Sequence, residues 1–347
     1  MRFLVRIALL FICFCTQLTA AAARDDEYLR GYVAAVVERE LNVSADAVSV
    51  RRGVVAIHAD LSAADEERLR KVLLEVEGIE EIVILPADTR LPGLVWFPKS
   101  SLFTPLFADP RWPHFSLSYQ YYIDDDDLTH VAAPNFGELF PLLHYAPAYG
   151  GSWEVGIQAG VFAIFDLASD SFDLINADYR VALPVTYAWG SWAAMLRFFH
   201  QSSHLGDEYL LRGNNGNNRI NVSYEGLHLL LSRDLPYGFR LYGGGGYLVH
   251  VDPKSLDRGS LQTGIEFAGT GIDLGFAIPV AGVDLQFEEE GNWRPNVSPR
   301  AGLQFGEPFG LGRNLQVLVE YFDGKSPNGQ FYDRTIRYIG FGAHLHF

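Results

Sequence analysis

His200 and Ser202 flank Gln201 in the run Phe-His-Gln-Ser-Ser-His-Leu, residues 199–205. On an extended strand, side chains two residues apart leave the same face, so an imidazole and a hydroxyl at this spacing are neighbours. The imidazole can take the serine proton and leave a nucleophilic oxygen, which is the chemistry of serine ester hydrolysis. That chemistry needs a third group to orient the histidine. Asn218 is one candidate: it lies beyond the following loop, on the parity of Ile220, Val222 and Tyr224. A second reading fits the same residues, in which His200, Ser202, Ser203 and His204 simply open a wet loop.

Either reading places the pair on a strand with one apolar face. Trp192, Ala194, Leu196 and Phe198 share the parity of His200, whereas Arg197 and Gln201 oppose it. The pattern recurs from residue 115 to the end. Trp153, Val155, Ile157, Ala159 and Val161 oppose Glu154 and Gln158, and Leu315, Val317, Val319 and Tyr321 oppose Gln316 and Glu320. Strict alternation over nine to fourteen residues marks half-buried strands. It predicts twelve, over 115–122, 136–144, 153–166, 176–188, 192–202, 219–231, 238–250, 259–268, 280–288, 295–305, 314–322 and 333–347. No segment after residue 115 offers about 18 apolar residues free of Gly, Pro and charge, so no spanning helix is expected there.

A soluble sandwich also alternates. Two features favour a membrane barrel: aromatics crowding the strand ends, such as Trp153, Tyr187 and Trp192, and an apolar residue at every second position from Ile339 to Phe347; the strand number is also even. The expected fold is an all-β, twelve-stranded antiparallel transmembrane barrel behind a small α+β domain. Arg180, Arg197, Glu225, Glu266, Asp284, Arg300 and Glu320 are expected to face inward and pair with one another as a plug. Gly243 to Gly246 lacks the Lys and Ser or Thr of a phosphate loop and marks close packing or a bend. His344 and His346 share the inner parity of the last strand, where hydration is a simpler reading than a metal site.

Residues 1–23 have the layout of a secretory signal peptide: Arg2 and Arg6, an apolar run over 7–15, then alanines. The only cysteines, Cys13 and Cys15, fall inside it, so the exported chain is expected to hold none. Losing Arg2 and Arg6 removes two positive charges and takes the formal charge from −15 to −17. With 48% apolar and 14% aromatic residues the chain is not disordered, and a strong acidic balance excludes nucleic acid as a partner. Residues 24–86 read as helix, two strands, helix and strand, with Ser62 and Asp65 opening the second helix. Six prolines between Pro86 and Pro113 make 87–114 a stiff extended linker.

Three resemblances add to this reading. The αββαβ order, ending Gly-Ile-Glu-Glu-Ile-Val at 78–83, resembles the BON domain of envelope proteins and implies envelope or phospholipid attachment in the periplasm. The stretches 173–180, 199–212 and 241–248 resemble the bacterial family called domain of unknown function 1207, which implies an outer-membrane barrel from about 105 to 347. The alternation Ile339, Phe341, Ala343, Leu345, Phe347 resembles the C-terminal signal read by the barrel assembly machinery, which makes Phe347 its expected contact.

His-Gln-Ser, a loop and then Asn-Arg before a strand resembles outer membrane phospholipase A. That likeness implies His200 as base, Ser202 as nucleophile and Asn218 as orienter, with Asp207 and Glu208 holding calcium or replacing Asn218. The lipid A deacylases use a similar His-x-Ser with an acid, which makes Glu208 a second candidate for the third member. Here the spacing to Asn218 is longer than in the phospholipases, and Ser203-His204 follows the serine where they show Asn-Gly. The function expected is therefore a lipid esterase of the outer membrane, with calcium as candidate cofactor and outer-membrane lipid and lipopolysaccharide as partners. A homodimer is an open assembly state. The alternative is a non-enzymatic envelope barrel, a tether or a narrow lumen binder with a periplasmic interaction domain. N-terminal sequencing of exported protein is expected to begin near Arg24; a first residue within 1–10 would overturn the signal-peptide reading.

Overall fold

The computed structural model describes residues 20–41, 43, 47–51, 54–59, 61–74, 76, 78–79, 81–85, 93–98, 100–147, 151–211, 220–269, 272, 274–306 and 314–346. Most of the expected signal peptide, and the terminal Phe347, lie outside these residues. The chain divides into two units, Met1–Leu91 and Pro92–Phe347.

In the first unit the order is α1 (Ala20–Leu41), β1 (Val48–Arg51), β2 (Val54–His58), α2 (Ala63–Leu73) and β3 (Glu81–Leu85). β1 and β2 pair antiparallel, while β2 and β3 pair in parallel. A parallel neighbour needs a crossover, and α2 supplies it. Ser62 caps α2 by accepting the backbone N–H of Asp65 at 3.2 Å. Val33 and Val37 of α1, Val55 and Ile57 of β2, and Leu69 and Leu73 of α2 close one small core.

The second unit is built from β4 (Gly93–Trp96) and twelve long strands. These are β5 (Phe115–Tyr122), β6 (His130–Ala146), β7 (Ser152–Asp166), β8 (Leu174–Trp189), β9 (Trp192–Leu205) and β10 (Val222–Asp234), followed by β11 (Phe239–Asp252), β12 (Gly259–Ala268), β13 (Ile278–Glu288), β14 (Pro295–Phe305), β15 (Asn314–Lys325) and β16 (Thr335–His346). Each pairs antiparallel with the next, and β16 returns to β5 with Phe341 opposite Tyr119, so the sheet closes. No helix among the described residues is long and apolar enough to cross a membrane.

The sign of the burial pattern separates a barrel in lipid from a sandwich in water. Glu154, Gln158, Arg197, Asp284 and Glu320 are at most 2% exposed, whereas Leu183, Leu229, Val319 and Phe341 are 45–61% exposed. A soluble sheet would bury the leucines. Trp153, Trp189 and Trp192 are exposed at one rim, and Phe172 and Trp293 at the other, as interfacial girdles require. The chain is an integral outer-membrane-type β-barrel. In β11, Gly244 allows close strand packing: a Cβ there would stand 1.9 Å from the carbonyl oxygen of Leu229.

The lumen is filled by the stretch just ahead of β5. The sequence reading makes 87–114 an extended linker; in the structure β4 pairs with 143–146 of β6, and 101–114 runs inside the barrel. Phe103, Leu106, Ala108 and Trp112 are fully buried there, too apolar for a solvated joint. Its backbone is satisfied by the inward charges. Glu154 accepts the N–H of Leu102 at 2.9 Å, and Glu266 accepts that of Ala108 at 3.0 Å. Arg240 donates to the carbonyls of Thr104 and Pro105, and Arg300 to that of Phe107. Pro105, Pro110 and Pro113 bring no N–H that would need a partner. The inward charges are thus paired partly with each other, as Arg240 with Glu266, and partly with this plug. Trp112→Ala is expected to destabilise the barrel by about 3–5 kcal/mol in urea unfolding from lipid vesicles; an unchanged midpoint would mean that the segment does not dock.

Candidate active site

His200 and Ser202 stand on β9 in phase with the exposed Leu196 and Phe198, on the outer wall. His200 lies opposite Val181 of β8 and Glu225 of β10; Ser202 lies opposite Tyr179 and Ser223. Glu225 is in phase with Leu227, Leu229 and Leu231, all exposed, so it too faces outward. Its Oε1 lies 2.7 Å from His200 Nδ1, and its Oε2 lies 2.9 Å from Nδ1 of His250.

His250 reaches this cluster through an irregularity. β10 and β11 change register between Glu225 and Gly226: Gly226 faces Leu248 while Glu225 faces His250. The extra residue, Val249, reverses the parity of β11, so His250 joins the wall that Leu241 and Tyr247 occupy below it. One carboxylate on the lipid side is thereby held by two imidazoles.

The chemistry follows from donors and acceptors. A carboxylate only accepts, so the proton on His200 sits on Nδ1 and its Nε2 keeps a free lone pair. The hydroxyl of Ser202, one step along the same face, forms no hydrogen bond among the described residues. It stands three residues from the end of β9. That is about 10 Å along the strand, or about 7 Å in height at a tilt near 45°, close to the interface. Beside it the outer wall carries a groove of about 370 Å³, lined by Phe136, Phe140, Val161, Tyr179 and Val181. Its floor includes Gly137, where a Cβ would stand 2.7 Å from the carbonyl oxygen of Ala159.

Two parts of the sequence reading change. Glu225, expected in the lumen, is on the outer wall. Val222 is 1% exposed and Tyr224 faces the lumen cavity, so the apolar parity used to orient β10 is its inner one. The large apolar residues near this end of β10 pack inward against the plugged interior, while the leucines further along mark the lipid face. Asn218 lies outside the described residues.

Asp207 and Glu208 open α3 (Asp207–Leu211), both exposed, and neither touches His200. The helix docks through Tyr209, buried against Phe331 at 5.6 Å between ring centroids, and burial pushes the Tyr209 hydroxyl above its ordinary pKa. Consecutive helical residues do not face each other, and calcium takes six to eight oxygens. Among the described residues no group of three or more acids, histidines or cysteines is placed to hold a metal. Among the described residues, Asp207 and Glu208 are joined by no third acid, histidine or cysteine. His344 and His346 are buried in the lumen with His114, and His344 Nε2 meets Glu320 at 2.7 Å.

The family described as protein of unknown function (DUF1207) matches residues 88–347, plug and barrel together. The chain belongs to the DUF1207 family. No curated protein matches it. Among solved structures, this DUF1207 chain is similar to outer membrane phospholipase A from Escherichia coli, with 16% identity, 72% of this chain and 94% of that one covered, and a TM-score of 0.46. The Salmonella typhi enzyme, described as a dimer with bound calcium, gives 14% identity, the same coverages and 0.47. The KdgM porin gives 11% identity, 67% and 99% coverage and 0.36.

The two residues missed from sequence, Glu225 and His250, have different signals. Glu225 is in step with Leu227, Leu229 and Leu231, and those leucines set the lipid face. His250 has no such signal, because the register shift that exposes it follows from strand pairing. Directly opposed strand residues hold their Cα atoms about 4.5–5.5 Å apart, within disulfide reach. The variant His200→Cys with Glu225→Cys is therefore expected to form a disulfide under mild oxidation, read as a mobility shift without reductant. No cross-link would overturn the outward placement of Glu225.

Proposed function

We propose that this DUF1207 barrel is a serine ester hydrolase acting on membrane lipid at its outer wall. The observation that carries the reading is the 2.7 Å contact between His200 Nδ1 and Glu225 Oε1, on the face that also presents Ser202. Glu225 takes the orienting role assigned from sequence to Asn218 or Glu208. In this reading Nε2 of His200 removes the proton of Ser202 Oγ as the oxygen attacks the ester carbonyl. The imidazolium formed is stabilised by the Glu225 carboxylate and returns its proton to the leaving alcohol. Water, deprotonated by the same nitrogen, then releases the acid from the serine ester. His250 shares the second carboxylate oxygen and restrains the rotation of Glu225.

The lipid side favours a lipid substrate, because a soluble ester would have to enter an apolar band to reach Ser202. Outer-membrane placement with the first unit in the periplasm would put the rim of segments 123–129, 206–211 and 253–258 outside, together with this site. Association of two copies through the wall that bears Ser202 would enclose the site further. A non-enzymatic reading rests on a different observation: the plug fills the lumen, which suits a closed wall or tether better than a channel.

Protein refolded in detergent is expected to release fatty acid from phospholipid or lipid A micelles, with and without added calcium. Ser202→Ala and His200→Ala should each lower kcat by about 10²–10⁴-fold, and Glu225→Ala by less than either. Absence of hydrolysis by the folded wild type, or full activity in Ser202→Ala, would sink the enzyme reading and leave the tether.

A further inference from the structure

A second site lies on the other side of the wall. The lumen above the plug holds a cavity of about 190 Å³, lined by Asp109, Arg111, Arg180, Arg197, Gln201 and Tyr224 at its inner end. Arg111 is paired with Asp178 at 2.6 Å. Arg197 is 2% exposed, and its partners are neutral: Gln158 Oε1 at 3.0 Å and His228 Nδ1 at 2.9 Å. Its Nε has no partner. Arg180 forms no hydrogen bond or ion pair among the described residues, and its Nε is buried.

Asp109 is the other carboxylate of the inner end, and it already accepts the N–H of Arg111 at 2.8 Å and the amide of Gln286 at 3.1 Å. With Asp178, the cavity carries five cationic and five acidic side chains; Arg180 and Arg197 stand out because neither has a carboxylate in hydrogen-bond contact among the described residues. Asp257, Glu288, Glu290, Arg258 and Lys325 line the rest of the space, with Glu288 accepting the amide of Asn296 at 3.3 Å.

A buried guanidinium N–H without an acceptor costs free energy. The geometry shows where an acceptor would sit. Arg180 lies over the Phe199 ring at 4.3 Å, and Arg197 over Trp112 at 5.5 Å. Stacking fixes each guanidinium plane; Arg197 spends one N–H of each terminal nitrogen on Gln158 and His228, whereas the N–H edge of Arg180, the part that grips oxyanions in a two-pronged fork, is left for the cavity. Gly246 contributes no side chain where it lines the space.

We propose that the barrel lumen binds a small soluble oxyanion, the carboxylate or phosphate group of a polar solute, between Arg180 and Arg197. The strand wall separates this site from membrane lipid, so the ligand enters from the aqueous rim. It is independent of the hydrolase reading and involves none of its residues.

The test is calorimetric titration of the full chain in detergent with inorganic phosphate and, separately, acetate, at ionic strength held constant with chloride. Wild type is expected to bind one or both anions saturably, and the pair of titrations says which oxyanion is preferred. Losing one charged hydrogen-bonding group should weaken binding by about 10–100-fold in Arg180→Gln. Arg334→Gln, which alters the exposed pair with Asp127 outside the cavity, should stay within about twofold. Arg180→Gln breaks no side-chain hydrogen bond among the described residues, so the comparison holds even where Arg197→Gln fails to fold. No saturable binding by folded wild type, or an unchanged affinity in Arg180→Gln, would overturn the proposal.

Discussion

A closed barrel of twelve strands with charges on its inner face faces a problem in electrostatics before it has any function. Carboxylates and guanidiniums cannot stay in a narrow, poorly hydrated interior unless something accepts and donates to them. Residues 101–114 are that something. Glu154 and Glu266 hold backbone N–H groups of the plug, while Arg240 and Arg300 hold its carbonyls. The plug brings Phe103, Leu106 and Trp112 into contact with Met195, Leu230 and Tyr242, so the interior also has an apolar core. The outer wall can be rigid enough to carry a defined site because the plug braces it from within.

That rigidity matters for the cluster of His200, Glu225 and His250. A partly exposed carboxylate and two imidazoles contribute little to stability in themselves, since exposed pairs are worth at most about 1 kcal/mol. Their value is positional. Three adjacent strands in a fixed register bring the groups within hydrogen-bond distance, and the single-residue irregularity in β11 adds the second histidine.

Much of this was legible in the sequence. Period-two alternation located all twelve strands, and Arg197, Glu266, Asp284 and Glu320 fell inward as their parity required. Boundaries were less legible: the alternation starts the second strand at 136, whereas β6 begins at His130, because Pro134 and Asn135 interrupt the pattern that pairing with β5 maintains. The role of 101–114 was hidden by its prolines, which look like a linker when what they bind is not in view. The outward placement of His200 and Ser202 was readable from spacing alone. Glu225 was not, since Val222 and Tyr224 give β10 a false apolar face where it packs against the filled lumen. Pairwise contacts between distant strands decide such cases, and a one-dimensional pattern does not contain them.

The position of the plug in the chain has a consequence for how the molecule is made. Residues 101–114 lead directly into β5, the first wall strand, yet the wall is complete only when β16, the last, meets β5. The segment that must end up enclosed is therefore synthesised before every strand that encloses it. Once the seam between β5 and β16 is sealed, Trp112 and Phe103 can no longer enter from the side. The plug therefore either stands in place before that seam closes, as a cask is raised around its contents, or threads in through an open end of the barrel.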